Sequence, residues 1–324
     1  EPDFWHDNPA IYQIYPRSFN DHADGGEGTI RGITEKLPYL KGEDNSLGVD
    51  AIWLTPFYDS PMVDGGCDVK TYREVYANFG RMDDFKELVT AAHEREIKVM
   101  VDFVPNHMST QSDWYKEACA SRDNPKSDWF VFRDAKPDGS LPNNWPSEFR
   151  GRRYNHNSGK IEKYMRPAWQ YVPERDQYVM CTFTPGQADL NWHNQEVRAA
   201  MHSEMRFLLD LGVDGLRVDM ITHIGKNPDM LDEPLNPNFD RKSDDPNDVV
   251  LRKYRNSDPT LYAYMREMVE VLNEYEGRFM VTEDYVARDD PVARYMDYYS
   301  VDPKRCAPFS FENFGSMMPR KASN

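Results

Sequence analysis

Arg217 and Asp219 stand two residues apart in the apolar stretch GLRVDMITHI (215–224). In an extended strand, residues so spaced point to one face. Burying a charge is costly unless the charge is paired or put to use. Other polar groups recur at the ends of comparable stretches. RFMVTEDY (278–285) carries Glu283 and Asp284, and KVMVDFVPNH (98–107) carries Asp102, Asn106 and His107. GQADLNW (186–192) adds Asp189 and Asn191 ahead of the helix that leads into the Arg–Asp stretch. Asp, Glu, His, Arg and Asn gathered at one place suit sugar chemistry. Hydroxyls take many short hydrogen bonds, and cleaving an acetal takes one acid and one nucleophile.

These stretches must be positioned by a scaffold, and the chain alternates strand-like and helix-like segments. AIYQIYP (10–16), DAIWLTPF (50–57), KVMVDFVPNH, VDGLRVDM, RFMVTEDY and CAPFSFEN (306–313) read as strands. Between them lie amphipathic patterns, such as Ile30, Ile33 and Leu37, then Phe85, Leu88, Val89 and Ala92, and later NQEVRAAMHSEMRFLLDLG and TLYAYMREMVEVLNEYEG. Alternation of this kind implies a parallel sheet with helical crossovers. Polar residues at the C-terminal end of strand after strand favour a (β/α)8 TIM-type barrel, where that face carries catalysis. About six strands are present. In such a barrel Asp219 and Glu283 are expected to face each other across the mouth. No GxGxxG or GxxxxGK[ST] turn follows any strand, as a doubly wound sheet would require. A stretch of nearly ninety residues after the third strand lacks periodicity and is rich in Trp, Tyr, Asn, Arg and Pro. So long a loop is improbable in a compact domain. The expected division is barrel over 1–105, a small domain inserted over the mouth at 106–185, and barrel again over 186–324.

The 324 residues carry 39 basic and 55 acidic side chains, a formal charge of −16. That balance speaks against nucleic acid or an anionic membrane as partner and for a small ligand. No apolar run reaches the length of a membrane span. The first sixteen residues lack the pattern of a secretory signal, and the missing initiator Met leaves room for a lost leader. Cys67, Cys119, Cys181 and Cys306 are scattered without zinc-type spacing. They read as reduced thiols of a cytoplasmic protein. Met201, Met205, Met265 and Met268 fall at helical spacing and read as core, and His193 and His202 as structural. His156, Arg150, Arg152 and Arg153 read as surface or loop contacts.

Taken together, the motifs resemble the α-amylase superfamily of glycoside hydrolases, in its bacterial α-glucosidase and oligo-1,6-glucosidase branch. IYQIYPRSF (11–19) is similar to that branch's first strand, and GGCDVKTYREVYANFG (65–80) to its GYDVxDYxxVxxxFG segment. DFVPNH (102–107) resembles DxVxNH, QADLN (187–191) QPDLN, and GLRVD (215–219) GFRxD, while TED (282–284) stands at the acid/base position. Order and spacing agree over nearly the whole chain. The resemblance implies that Asp219 is the nucleophile and Glu283 the acid/base, with Arg217 holding Asp219 ionised. It implies that Asp68 and His107 bind hydroxyls of the first-subsite sugar and that Asp102 is a supporting carboxylate. A retaining pair of this kind lies roughly 5–5.5 Å apart. The implied activity is hydrolysis of terminal α-glucosidic bonds in short oligosaccharides, with α-1,6 slightly favoured over α-1,4 linkage. A sucrose- or trehalose-converting transglucosidase or isomerase uses the same residues. A non-catalytic amylase-like module would have lost Asp219 and Glu283, which are both present.

The sequence departs from the family in three places. The His-Asp pair that ends the family's seventh strand is missing, since the last of the eight histidines is His223. The expectation is therefore a partial barrel, with little hydrolase activity in residues 1–324 alone. Cys67 replaces the Tyr that stacks on the first sugar. The DxNxDxIxD cation loop reads DHADGGEGT (21–29), keeping Asp21 but placing Ala23, Gly25 and Thr29 at other ligand positions. Asp24 and Glu27 are substitutes for a structural Ca or Mg ion near Asp21, against the simpler reading of a solvated acidic loop. No cofactor is required.

Overall fold

A computed structural model describes residues 5–7, 9–22, 24–42, 44–256, 258–284 and 291–309. Six strands form one parallel sheet: β1 (Ile11–Ile14), β2 (Ala51–Leu54), β3 (Lys98–Phe103), β4 (Gly215–Val218), β5 (Phe279–Thr282) and β6 (Cys306–Pro308). They lie side by side in chain order, with no reversal. A doubly wound sheet must reverse its order at a switch point, so this winding is that of a barrel. The side chains of Ile11, Trp53, Met100 and Val281, from four different strands, line one apolar cavity of about 330 Å³. The sheet therefore curls around an axis. Residues 310–313 of the sixth strand-like stretch, and Tyr285 after the fifth, lie outside the described residues.

Helices α1 (Ile30–Leu40), α2 (Met82–His93), α3 (Gln195–Asp210), α4 (Thr260–Asn273) and α5 (Pro291–Tyr299) occupy the crossovers. The periodic residues face inward as their spacing demands. Ile30, Ile33 and Leu37, then Phe85, Leu88 and Ala92, then Met201, Met205, Met265 and Met268 are all fully buried in one core. Caps set the helix starts. Thr29 accepts from Gly32 N ahead of α1, and Asn194 accepts from Glu196 N ahead of α3.

Two strand readings need correction. KVMVDFVPNH is not one strand: β3 ends at Phe103, and His107–Ser109 forms a separate piece antiparallel to Gln187–Asp189. Pro105, with no N–H to give, sits at the break. GLRVDMITHI also stops early, at Val218, because Met220 turns into the left-handed region (φ 39°, ψ 47°). The chain then runs on as a 3₁₀ turn, Ile221–Ile224.

Between β3 and α3 lie short antiparallel pieces. Trp169–Val172 pairs with Gln177–Met180, which pairs with Phe132–Arg133, around a small core of Val131, Trp145, Ala168, Trp169 and Met180. Gly151–Asn155 and Lys160–Tyr164 form an exposed hairpin.

At the opposite end of β4, Asp214 is buried and gathers four donors. They are His93 Nε2 at 2.6 Å, Val99 N at 3.0 Å, Arg278 Nη1 at 3.2 Å and Lys98 Nζ at 3.3 Å. Burial works against its charge, but His93, the Val99 amide and Lys98 win, and its pKa falls below the usual carboxylate value. A lowered carboxylate pKa stabilises the fold above the unfolded-state value, and that stability is lost as pH falls through the lowered one. Asp214→Ala also orphans the Val99 amide. The expected cost is about 2–3 kcal/mol at neutral pH, measured by urea denaturation, and it should shrink below pH ~4.

Candidate active site

The parallel ladder places the charged groups in line. Arg217 on β4 is in register with Asp102 on β3 and with Val281 on β5. Asp219 and Glu283 each sit one residue past a strand, where the ladder still holds them. Asp219 N donates to Phe103 O (2.8 Å), and Glu283 N donates to Val218 O (2.8 Å). The two carboxyl groups thus stand on adjacent strands, β4 and β5, and not across the mouth from one another. Pairing of consecutive strands, which polar spacing alone does not specify, makes the difference.

Arg217 binds more than its sequence neighbour. Its Nη1 donates to Asp219 Oδ1 at 2.7 Å and to Asp102 Oδ2 at 3.2 Å, while Nη2 donates to Glu283 Oε2 at 2.5 Å. Three carboxyl groups therefore share one guanidinium, and the side chains of all four are at least 88% buried, Glu283 the least with 12% exposure. Trp53 Nε1 donates to the other oxygen of Asp102 (2.7 Å), and the Trp53 ring lies under the guanidinium at 5.4 Å. Met220 N, aimed by the left-handed turn, approaches Glu283 Oε2 at 3.4 Å. A non-glycine residue in that region costs on the order of 1–3 kcal/mol.

Three ionised carboxylates around one cation would leave two negative charges in a buried site. The site keeps protons instead. Burial pushes Asp102 up to about 7 against the pull of Arg217. Burial also carries Glu283 up to about 7, opposed by Arg217 and reinforced by the charge of Asp219. Arg217 stays charged: burial opposes it, but Asp102, Asp219 and Glu283 hold it above its ordinary value.

A second ring of polar residues surrounds the carboxyls. His107 is fully buried, and burial lowers its pKa. Its Nε2 lies 3.2 Å from Cys67 O and 3.0 Å from Gln187 Nε2, and Gln187 also donates to Asp64 Oδ2 at 3.0 Å. Asp68 is buried and accepts from Ser60 Oγ (2.9 Å), Val63 N (2.9 Å) and Asp64 N (3.1 Å). Those bonds fold the 60–68 turn under the site. Lys226 Nζ, also buried, bridges Asn106 Oδ1 (2.7 Å) and Asp189 Oδ2 (2.8 Å). Burial pushes the Cys67 thiol well above its usual pKa, with Asp219 and Asp102 adding to the effect. The four cysteines are all free.

Sequence reasoning missed Trp53, which sits inside an apolar strand without any polar signature. Gln187 lay in a motif read for other reasons, and only the fold joins it to His107 and Lys226 to Asn106. Asp21 Oδ2 accepts from Gly26 N at 2.6 Å, and Glu27 is engaged by Asn78 (3.1 Å) and Arg17 (3.7 Å). Among the described residues no three His, Cys, Asp or Glu side chains converge to hold a metal.

Comparison with known proteins gives the same picture. Residues 13–323 match the family model of the α-amylase catalytic domain. An oligo-1,6-glucosidase of Heyndrickxia coagulans is 39% identical over 291 residues, covering 90% of this chain and 47% of the relative. A trehalose-6-phosphate hydrolase of Escherichia coli (strain K12) is 44% identical over 224 residues, 69% of this chain and 37% of the relative. The crystal structure of the α-glucosyl transfer enzyme XgtA superposes with a TM-score of 0.84 at 37% identity, covering 96% of this chain and 55% of that one. The chain thus spans about half the length, or less, of the relatives it matches.

Proposed function

The chain belongs to the α-amylase catalytic-domain family, and on that premise we propose a retaining α-glucosidase acting on terminal α-glucosidic bonds of short oligosaccharides. Asp219 attacks the anomeric carbon, and Glu283 protonates the departing oxygen. Water, deprotonated by Glu283, then releases glucose from the glucosyl–Asp219 ester. Arg217 donates to the nucleophile at 2.7 Å, and Asp102 with Trp53 keeps Arg217 in place. His107 and Asp68 take sugar hydroxyls, for which Asp68 must exchange some of its turn hydrogen bonds. This chemistry uses no cofactor.

The observation that carries the reading is the shared guanidinium. It holds one carboxyl that must be charged and one that must carry a proton at adjacent strand ends. Attachment of both carboxyls to the two terminal nitrogens of one guanidinium supports the closely spaced, retaining geometry over the inverting one, which leaves room for a water. The raised Glu283 gives a pH dependence. Its proton is needed in the first step, so kcat/KM should fall as pH rises through about 7.

The test is product analysis on isomaltose, maltose, sucrose, trehalose and trehalose 6-phosphate, with proton NMR of the anomer first released. α-Glucose from isomaltose, faster than from maltose, is the expected result; β-glucose as first product would sink the proposal. A transglucosidase of the same family is the second reading, favoured by the likeness to an α-glucosyl transfer enzyme. Oligosaccharide products longer than the substrate, in excess over glucose, would select it. Among the described residues no helix is long and apolar enough to cross a membrane. The free thiols support a reducing compartment, the cytoplasm.

A further inference from the structure

The strand that carries the nucleophile ends in a way its pairing does not require. In a parallel pair, alternate residues of one strand bond the same neighbour. Val218 O accepts from Glu283 N at 2.8 Å, so a continued strand would give Glu283 O to the amide of Met220. Ile221 N takes that carbonyl instead, at 3.1 Å. The ladder slips by one residue because Met220 turns left-handed (φ 39°, ψ 47°), much as a bulge re-aims a chain beside a site. The slip frees the Met220 amide, which faces the Glu283 side chain, 3.4 Å from Oε2.

Methionine is a poor residue for that conformation. Asp24, Asn45 and Asp176, which share it, belong to the types that tolerate it. Met62, Glu96 and Met230 share it in local turns, where their amides donate to Ser60, His93 and Asn227, no more than three residues back. Of these four, only Met220 sends its amide across to another strand. Backbone strain kept beside reacting groups points to a use for it.

Glu283 Oε2 thus accepts from two donors, Met220 N and Arg217 Nη2, the latter at 2.5 Å. A carboxyl oxygen that already accepts twice has no lone pair left for a proton. We infer that Met220 is a positioning residue: its left-handed turn, together with Arg217, closes Oε2 of Glu283 to protonation, so that the acid carries its proton on Oε1. In the first step the Oε1–H bond breaks and a new O–H bond forms on the departing oxygen, as the anomeric C–O bond breaks and the bond to Asp219 forms. The surroundings of the carboxyl agree. Burial raises Glu283 to about 7, Arg217 opposes the rise, the charge of Asp219 adds to it, and the Met220 amide opposes it. Asp102, on the same guanidinium, is the other acid of the cluster. The inference rests on the proposed function for the role of Glu283 as acid, but the place of the proton is measured without turnover.

Neutron diffraction from crystals of the full chain, grown in heavy water at a pD of about 5 so that Glu283 is protonated, reads the site directly. A deuteron on Oε1 is the expected result, and one on Oε2 overturns the inference. The part played by Met220 is tested by replacing it with the corresponding α-hydroxy acid, which puts an ester oxygen where the N–H stood. The titration of Glu283 is followed by carbon-13 NMR of its carboxyl, assigned by the signal lost in Glu283→Gln. Removing a donor from the charged form should raise the midpoint by about half a unit or more. Met220→Gly keeps the N–H and suits the turn, so its midpoint should stay in place, and this variant keeps the test open if the ester chain does not fold. An unmoved midpoint in the folded ester chain, or an equal rise in Met220→Gly, overturns the role of Met220. Rates separate position from stability. The ester should slow an alkyl α-glucoside, whose leaving group needs the proton, about two- to fivefold more than an aryl one. Equal slowing of both would assign Met220 to stability alone. If no glucoside is turned over but the deuteron and the titration behave as stated, the proposed activity fails and the placement of the proton stands.

Discussion

On the proposed assignment, Asp219→Ala should lower release of p-nitrophenol from an aryl α-glucoside on the order of 10⁴-fold or more, as loss of a nucleophile does. Azide should then restore part of the rate by entering the vacated space and attacking the anomeric carbon from the same side. Its product is the β-glucosyl azide, with inverted configuration. Glu283→Gln should behave differently. A p-nitrophenolate leaves without a proton, so glucosylation of Asp219 should survive far better than it does with an alkyl glucoside. The second step, which needs a base, should then limit the rate, giving a burst followed by slow turnover. The two variants therefore separate the roles by chemistry and not by loss of activity alone. Azide rescue of the Glu283 variant to an α-azide would fit the loss of a base that water needs and the azide anion does not. Equal failure of both variants on aryl and alkyl substrates, with no rescue, would contradict the assignment.

The largest effect on stability is expected at Arg217. Arg217→Met leaves Asp102, Asp219 and Glu283 buried without a cation, and removing one partner of a buried ion cluster costs about 3–5 kcal/mol. The penalty should depend on pH in a definite direction. Asp102 and Glu283 already sit at about 7 with Arg217 present, above their unfolded values. A raised carboxylate pKa gives stability that is fully present below the unfolded value and lost as pH rises through the folded one. Without the guanidinium those pKa values rise further. The variant should therefore be most stable near pH 4–5 and lose stability steeply toward pH 8. Urea denaturation at several pH values measures this. A pH-independent loss would mean that Arg217 acts by packing against Trp53 and not by charge. Arg217→Lys should recover part of the stability but little activity, since one ammonium cannot hold carboxyls on two NH₂ groups at once.

Much of this site was legible in the chain because strand periodicity and charge are local properties. Arg217 and Asp219 fall on one face whatever surrounds them, and an apolar strand that carries such a pair announces a use for it. The same locality exposed the parallel alternation, the inward stripes of the helices and the carboxyl-bearing strand ends. Which of those ends touch is not a local matter. The order of the six strands put Glu283 beside Asp219 on the next strand, when a position across the mouth had been expected. The in-line register of β3 and β4 gave Arg217 a third carboxyl in Asp102, and through it Trp53. Lys226 reached Asn106 and Asp189 only because the His107–Ser109 and Gln187–Asp189 pieces pair. The sequence by itself thus determined which residues could do the chemistry and on which kind of scaffold. The tertiary structure decided which of them share a cation, because burial and proximity, the two quantities that shift a carboxyl, arise only when distant strands pack.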